Sequence, residues 1–276
     1  MAWHAQLQLD YRLERQRTVA RHLHKGPLRI LQSLSPEGDT VCHNVLVHPP
    51  GGLVGGDTLD LQITAAAGTH GLITTPGATR FYRSSGKPAI QRTQIRLAAQ
   101  ARLEWLPLET ICHNECLAEN RLTLSLAPDA EFMGLDITAL GLPHAQLPFK
   151  LGSFQQHIEV PGVWLERGRI DATDRTLMQG RTGLQGLACL GTLFFVAGRA
   201  LNRTRRQTAL ELARALIDAH PLRLTAGATS ANDQVLVVRA LAPLVESSSD
   251  LLRKIWHGWR QYFWQLNGAS PRIWAT

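Results

Sequence analysis

The sequence predicts a mainly β protein, built as stacked, β-helix-like sheets with a few helices, chiefly in the C-terminal third. Three observations support this fold class: apolar and polar residues alternate over most of the first 200 residues, strand–turn–strand units recur, and helical periodicity appears after residue 200. Because no clean linker divides the chain, residues 1–276 are predicted to form a single domain. Its 1–200 part is β-rich and its 201–276 part is a mixed layer of helix and strand.

Alternation identifies the strands. Residues 58–64 place Leu59, Leu61 and Ile63 on one face and polar side chains on the other, which is the pattern of a half-buried strand. Segments 41–47, 121–126 and 156–160 alternate in a similar way, with proline and glycine between the strands.

An internal repeat relates segments 63–73, 95–105 and 124–134, each a strand, a turn of small residues and a second strand. Spacing of this kind fits β units that stack on one another, whereas chance similarity between ordinary hairpins is the alternative. If the units are in register, residues 74–78, 107–110 and 136–138 should meet at one end of the stack.

Two helices are predicted in the C-terminal third. Thr208-Ala-Leu-Glu211 is a capping-box sequence that predicts a helix start, and His220-Pro221 predicts its end. A second helix is predicted from about residues 247–250 to a stop at Asn267-Gly268, with a strand at 234–239 between the two helices.

Trp264 falls on the polar side of the second predicted helix, close to Arg260. An exposed tryptophan beside arginines is typical of an anchor for a protein partner, so Trp264 and Arg260 are predicted to bind a partner. Packing of Trp264 beneath another loop is the alternative.

The chain carries a net charge of +7, which permits a basic nucleic-acid-binding module as an alternative function. The basic residues are scattered, however, and no zinc finger or RNP motif accompanies them.

The N-terminal residues lack a signal-peptide pattern, so a cytoplasmic protein is expected. The longest apolar run, residues 186–198, is too short for a membrane span, so no membrane partner is expected.

Residues 48–57 form a loop with two prolines and four glycines that ends in Asp57. A strand follows this loop, so no helix N-terminus is available to bind phosphate, and nucleotide binding is not expected.

Cys112, His113 and Cys116 offer soft ligands and define a second alternative, a Cys/His metalloprotein. Adjacent residues of a strand point to opposite faces, which favours buried cysteines and exposed histidines instead.

Four carboxylates lie in apolar or glycine-rich contexts: Asp57, Glu109, Asp136 and Glu166. Burying a carboxylate costs free energy unless it has a partner, a proton or a metal. These groups either pair with nearby arginines or act as transient metal ligands and the polar lining of a passage.

Four segments, taken together, resemble the urease accessory protein D family (UreD, also called UreH). They occur in that family's order, spread over nearly the whole chain, and shorter matches lie at 190–193 and 237–240. The four segments are His48–Asp57, Thr74–Ser84, Leu103–Ile111 and Pro271–Thr276.

The resemblance implies a non-enzymatic maturation factor with a mainly β fold. Such a factor binds apo-urease and docks accessory protein F, which recruits the GTPase accessory protein G to deliver Ni²⁺ to the urease active site. The expected partners are the urease structural subunits and proteins F and G, with the nickel-donor accessory protein E as a further candidate. No nucleic acid is expected. No tightly bound cofactor is expected, and Ni²⁺ is the candidate for transient binding.

The resemblance also implies roles for the four carboxylates. Asp57 matches the residue that closes the glycine motif, and Glu109 matches the glutamate of the Trp-Leu-Pro-x-Glu segment. Asp136 and Glu166 fall where polar strand residues are proposed to line an internal route for metal or water. The chain departs from the usual pattern at Leu108, where the family often has glutamine, which removes one polar group beside Glu109.

Overall fold

The structure, a computed structural model, describes residues 2–267 and 270–275. Two β-sheets are stacked face to face, and the two long C-terminal helices cover the outer side of the second sheet. The strands are β1 (His4–Glu14), β2 (Arg17–Lys25), β3 (Arg29–Leu34), β4 (Val41–Val47), β5 (Thr58–Ala65), β6 (His70–Thr74), β7 (Thr79–Phe81), β8 (Ala89–Leu97), β9 (Arg102–Leu106), β10 (Thr110–Cys112), β11 (Leu117–Leu126), β12 (Glu131–Leu142), β13 (Leu147–Pro148), β14 (Ser153–Val160), β15 (Trp164–Asp171), β16 (Cys189–Ala197), β17 (Ala226–Ser230) and β18 (Val235–Ala242). The helices are α1 (Arg175–Gln179), α2 (Arg203–Asp218) and α3 (Val245–Trp264), with 3-10 turns at Pro143–Ala145 and Arg272–Ala275.

The chain alternates between the two sheets as it advances. The first sheet has the order β15-β14-β11-β8-β5-β1-β2, and the main path of the second is β17-β18-β16-β12-β9-β6-β4-β3. Strands β5, β8 and β11 are parallel neighbours in the first sheet, while β6, β9 and β12 are parallel neighbours in the second. Each coil therefore adds one strand to each sheet, which confirms the predicted β-helix-like stack.

The repeat units lie in register. Ile63 pairs with Ile95, which pairs with Leu124, and Trp105 pairs with both Ile73 and Gly134. Equivalent positions of all three units are thus direct neighbours, so the explanation by chance similarity is wrong.

The ends of the repeat units meet, as the register predicts. Thr110 pairs with Thr79 on one side and with Thr138 on the other. In addition, the Leu108 amide donates a hydrogen bond to Thr75 Oγ1 at 2.9 Å. Segments 74–78, 107–110 and 136–138 therefore come together at one end of the second sheet.

Apolar side chains form two cores, one on each side of the second sheet. The inner core lies between the sheets and includes Ile95, Phe154 and Phe194. The outer core lies beneath α2 and α3 and includes Leu193 and Trp259. Strands of the second sheet are buried on both faces, which explains why β12 and β16 are apolar almost throughout.

The helices begin earlier than predicted. Helix α2 starts at Arg203, because the side chain of Asn202 accepts a hydrogen bond from the Arg205 amide and caps the helix before Thr208 is reached. Helix α3 starts at Val245 without a side-chain cap and ends at Trp264, where Gln265 adopts a left-handed φ of 56°. The predicted stop at Asn267-Gly268 lies in part outside the described residues. No helix within the described ranges is long and apolar enough to cross a membrane.

The glycine loop 48–57 packs directly against segment 80–88. The Leu53 amide donates to the Arg80 carbonyl at 2.7 Å, and the Tyr82 amide donates to the Leu53 carbonyl at 2.8 Å. Gly52 lies so close to this segment that a Cβ there would approach the Arg80 carbonyl oxygen to 2.8 Å. Two of the segments that resemble the UreD family are therefore one packed unit.

Gly52→Ala is expected to lower the free energy of unfolding by about 1–3 kcal/mol, because its methyl group would also lie 2.4 Å from Tyr82 Cε2. Gly77→Ala is the matched control, since no heavy atom lies within 4 Å of a Cβ at that position. Urea denaturation followed by tryptophan fluorescence measures both variants. Equal stability of the two would contradict the close packing of the loop.

Candidate functional site

A row of amide side chains interrupts the apolar inner face of the first sheet. Gln91 on β8 pairs in register with Asn120 on β11, which pairs with Gln156 on β14. On the same face, the residues two positions along β11 and β14 are Leu122 and Ile158, both buried in the inner core. The row thus places polar groups between the sheets, where apolar residues otherwise predominate.

Asp136 faces this amide row from β12 of the second sheet. Its Oδ2 atom accepts hydrogen bonds from Asn120 Nδ2 at 3.2 Å and from Gln156 Nε2 at 2.8 Å. Thr138 Oγ1 lies 3.4 Å from the other carboxylate oxygen. Burial raises the pKa of Asp136 to about 6, and the nearby Glu166 carboxylate contributes to this rise. Asp136 is therefore mostly ionised at neutral pH, although its environment disfavours the charge.

The polar groups continue from Asp136 to the edge of the sheets. Asp136 pairs in register with Thr192 on β16, and Thr192 pairs with Arg239 on β18. Arg239 donates to both carboxylate oxygens of Glu166, which reaches it from β15 of the first sheet. A cavity of about 570 Å³, lined by Glu166, Thr192 and Arg239 among others, lies at this edge. We call this set the polar seam: Asn120, Asp136, Gln156, Glu166, Thr192 and Arg239.

One acceptor in the polar seam lacks a partner. Gln156 Oε1 is buried and has no hydrogen bond to any of the described residues. A buried acceptor without a hydrogen bond costs about 1–3 kcal/mol, and a water beside Gln156 would relieve that cost. The seam therefore has one free acceptor, Gln156 Oε1, on the side chain that bonds to Asp136.

Asp57 lies elsewhere, at the corner of the glycine loop. Its carboxylate accepts hydrogen bonds from the Trp3 amide at 2.7 Å and from the Val54 amide at 2.9 Å. The side chain is buried, and these bonds tie the start of the chain to the loop. Among the hydrogen bonds of the described residues, none joins Asp57 to Glu109 or Asp136, so the glycine loop does not bring these carboxylates into contact.

Glu109 also lies apart from the polar seam. It lines a cavity of about 880 Å³ between the ends of β10 and β12, the start of α3 and the C-terminal turn. The same cavity is lined by Leu108, where a glutamine would have added a polar group, and by Glu246 and Arg253. The sequence-predicted carboxylates therefore separate into one pair, Asp136 and Glu166, and two single groups.

The cysteine segment does not form a metal centre. Cys112 and Cys116 are buried beside each other, and a hydrogen bond from Cys112 lowers the pKa of Cys116, whereas burial raises the pKa of Cys112. His113 turns away, and its half-buried ring packs on Tyr82 with ring centroids 4.8 Å apart. Within residues 2–267 and 270–275, no group of three or more His, Cys, Asp or Glu side chains is placed to hold a metal ion.

The prediction that Arg260 is exposed to a partner is wrong. Arg260 has 0% exposed surface, and its Nε atom lies 3.1 Å from both carboxylate oxygens of Glu104. Its terminal nitrogens donate to Glu37 at 2.5 and 2.8 Å. His70 Nε2 also bonds to Glu104 at 2.8 Å. Arg260 therefore anchors α3 to the second sheet through a buried ionic network.

Trp264 is buried as well, with 5% of its surface exposed, so it does not offer an exposed anchor. Its indole Nε1 donates to Glu131 at 2.7 Å, and its ring packs edge-on against His70 with centroids 4.9 Å apart. The prediction failed because α3 packs against both α2 and the second sheet. The face that holds Arg260 is polar, but it is covered by the sheet rather than by water.

Sequence reasoning missed four members of the polar seam: Asn120, Gln156, Thr192 and Arg239. A signal was present for the first two, because each is an amide at a position where alternation predicts an inward-facing residue. Thr192 and Arg239 lie on strands of the second sheet that are apolar on both faces, so alternation marks neither as inward-facing.

Comparison with known proteins identifies the family. The model of the family described as "UreD urease accessory protein" matches residues 4–275. Proteins named "Urease accessory protein UreD" are 67% identical in Paracidovorax citrulli, 64% in Polaromonas naphthalenivorans and 46% in Methylibium petroleiphilum, and each comparison covers the whole of both chains. The chain therefore belongs to the UreD family of urease accessory proteins, and its role lies in urease maturation.

Proposed function

We propose that this protein is a non-catalytic, cytoplasmic scaffold that binds apo-urease and accessory protein F. Through protein F it recruits the GTPase accessory protein G, so that Ni²⁺ reaches the urease active site, and the nickel-donor protein E joins as a further partner. Membership of the UreD family supports the maturation role, because the relatives are named as urease accessory proteins.

The observation that carries this proposal is the polar seam between the sheets. The atoms of the seam that can bind a metal ion are carboxylate and amide oxygens. These oxygens hold Ni²⁺ less firmly than thiolates or several imidazoles would. A route for metal transfer needs such weak sites, because each must release the ion it has received. Asp136 supplies negative charge at neutral pH, and Gln156 Oε1 supplies an acceptor without a partner.

Arg239 suits this role because it neutralises Glu166 at the edge of the seam. A Ni²⁺ ion that approaches Glu166 from the 570 Å³ cavity would compete with the guanidinium group for the same two oxygens. Ni²⁺ is cargo in this account. Glu109 lines the separate cavity of about 880 Å³. We propose that Glu109 and Asp57 line other parts of the route.

Co-production with the urease structural subunits and accessory protein F tests the scaffold. We expect a tagged form of this chain to retain both partners through size-exclusion chromatography at matched concentrations. A protein of unrelated fold and similar net charge, carrying the same tag, is the control for non-specific retention. Recovery of neither partner with the tagged chain would contradict the proposed function.

A further inference from the structure

Two cysteines lie side by side in the inner core. Cys112 is the last residue of β10, and Cys116 follows it after three intervening residues. Both side chains belong to the inner core and have 0% exposed surface. The Cys112 thiol donates a hydrogen bond to Cys116, so the two sulfur atoms are direct neighbours. The proposed function makes no use of this thiol pair.

The backbone between the two cysteines is folded tightly. The Cys116 amide donates to the His113 carbonyl at 3.1 Å, which closes a four-residue turn directly after Cys112, and Glu115 adopts a left-handed φ of 65° within it. Such a turn brings its first and last Cα atoms within about 7 Å of each other. A disulfide joins Cα atoms roughly 4.4–6.8 Å apart, which is a spacing of the same size.

Neighbouring loops hold this turn in place. The Ser84 amide donates to the Glu115 carbonyl at 3.0 Å, and the Glu115 amide donates to the Leu151 carbonyl at 2.8 Å. The Ser153 amide donates to the Cys116 carbonyl at 2.9 Å. The side chain of Glu115 is 37% exposed, so the thiol pair lies directly beneath the surface. A small molecule can therefore reach the pair through a local opening of the turn, without unfolding of the sheets.

The two thiols differ in acidity. The hydrogen bond from Cys112 stabilises the thiolate of Cys116 and lowers its pKa, whereas burial raises the pKa of Cys112 well above its usual value. Cys116 is therefore the better nucleophile of the two. Redox-active cysteines have this arrangement, in which an ionisable thiol lies beside a second thiol that resolves its oxidised form.

The other two cysteines lack this arrangement. Burial raises the pKa of Cys42, and it raises that of Cys189 to about 12. Among the residues that the structure describes, the hydrogen-bond partners of these thiols are not cysteines. Cys42 and Cys189 therefore serve as internal controls, since both are buried thiols without a second thiol beside them.

We propose that Cys112 and Cys116 are a modification site, at which hydrogen peroxide converts the thiol pair into a reversible disulfide. The Cys116 thiolate attacks one peroxide oxygen and breaks the O–O bond, which leaves a sulfenic acid on Cys116. The departing hydroxide takes up the proton that Cys116 lost on ionisation and leaves as water. The Cys112 sulfur then forms the S–S bond and displaces the sulfenic hydroxyl group, which leaves with the Cys112 proton as a second water. The thiols lose two electrons, and one peroxide is reduced to two waters.

Mass spectrometry of the folded, full-length chain tests the site. The chain is treated with hydrogen peroxide, catalase removes the excess, and the chain is then unfolded, alkylated with iodoacetamide and digested with trypsin. Cleavage after Arg102 and Arg121 places both thiols in peptide 103–121, while Cys42 and Cys189 fall in two other peptides. We expect peptide 103–121 to lose two hydrogen atoms and to escape alkylation, whereas Cys42 and Cys189 are alkylated. Dithiothreitol should restore both thiols.

Single substitutions test the order of the two steps. In Cys112→Ser, the sulfenic acid on Cys116 has no thiol to resolve it, so a dimedone probe should label it. In Cys116→Ser, the remaining thiol ionises poorly, and we expect dimedone to label Cys112 about tenfold or more slowly. Labelling of the two variants at equal rates would contradict the assignment of Cys116 as the nucleophile.

Two further results would overturn the site. One is alkylation of both thiols of peptide 103–121 after treatment at every peroxide concentration at which the chain stays folded. The other is a lower thermal unfolding midpoint for the oxidised chain than for the reduced chain, which would show that the disulfide distorts the fold. An equal or higher midpoint supports the site. These measurements use the chain alone, so their outcome is independent of whether it binds urease or accessory protein F.

Discussion

Arg260→Met is expected to lower the free energy of unfolding by about 3–5 kcal/mol, the typical cost of removing one partner from a buried ion pair. The substitution removes the guanidinium group that contacts both Glu104 and Glu37, so one fully buried and one largely buried carboxylate lose this counter-charge. Methionine keeps most of the side-chain length. The decrease in the free energy of unfolding therefore reflects the lost charge and hydrogen bonds more than lost side-chain volume. Urea denaturation of the full chain measures it.

Lys254→Met is the matched control on the same helix. Lys254 pairs with Asp250 at 2.7 Å, but both side chains are about half exposed, so the change should cost no more than about 1 kcal/mol. If Arg260→Met lowered the free energy of unfolding as little as Lys254→Met, the view that the buried network anchors α3 would be contradicted.

The same network predicts how stability depends on pH. Burial alone would raise the pKa of Glu37, but hydrogen bonds from His43 and Arg260 outweigh it and lower the pKa to about 2. An acid with a lowered pKa in the folded state contributes stability above its unfolded value of about 4.5, and that contribution is lost as the pH falls toward 2. We expect this acid-sensitive part of the stability to be smaller in Arg260→Met.

Asp136→Asn is expected to reduce urease activation about tenfold or more while the complexes with urease and accessory protein F still assemble. Asparagine keeps the shape of the side chain and can still accept a hydrogen bond from Gln156, but it removes the charge that attracts Ni²⁺. Urease activity per assembled complex measures the effect. Asp218→Asn, the same chemical change at an exposed residue of α2, is the control and should activate normally.

The same variant should be more stable than the wild type above about pH 6. A carboxyl group whose pKa is raised in the folded state, here to about 6, destabilises the folded protein when it ionises. This destabilisation grows as the pH rises from the unfolded-state pKa near 4 to the folded-state pKa. Asparagine does not titrate, so the extra stability of Asp136→Asn over the wild type should grow between these two pKa values. Above the folded-state pKa it should level off at no more than about 3 kcal/mol. Lost activation together with gained stability would show that Asp136 is kept for function.

The stack of strands was predictable because its signals are local. Alternation identified β4 and β5, and the spacing of the repeat units placed Ile63, Ile95 and Leu124 in the register that the structure has. The pair of Asp136 and Glu166 was also predictable as polar groups within apolar strands. Their amide partners were visible in principle, since Asn120 and Gln156 stand where alternation calls for an apolar residue.

The surroundings of α3 were not predictable from the sequence. Arg260 contacts Glu104 and Glu37, which lie 156 and 223 residues away in the chain, and no periodic pattern reports contacts of that range. A polar helix face usually indicates contact with solvent. Here the face is covered by the second sheet, and Glu104 and Glu37 supply the charges that Arg260 would otherwise find in water.

Nickel content gives the most direct test of the central claim that Ni²⁺ reaches urease by way of the polar seam. Urease is purified from co-production with the wild-type chain, with Asp136→Asn and with Asp218→Asn, and nickel per active site is measured by mass spectrometry at equal complex occupancy. We predict full nickel loading with the wild type and with Asp218→Asn, and a loss of about tenfold or more with Asp136→Asn. Full loading of urease with Asp136→Asn would contradict the claim.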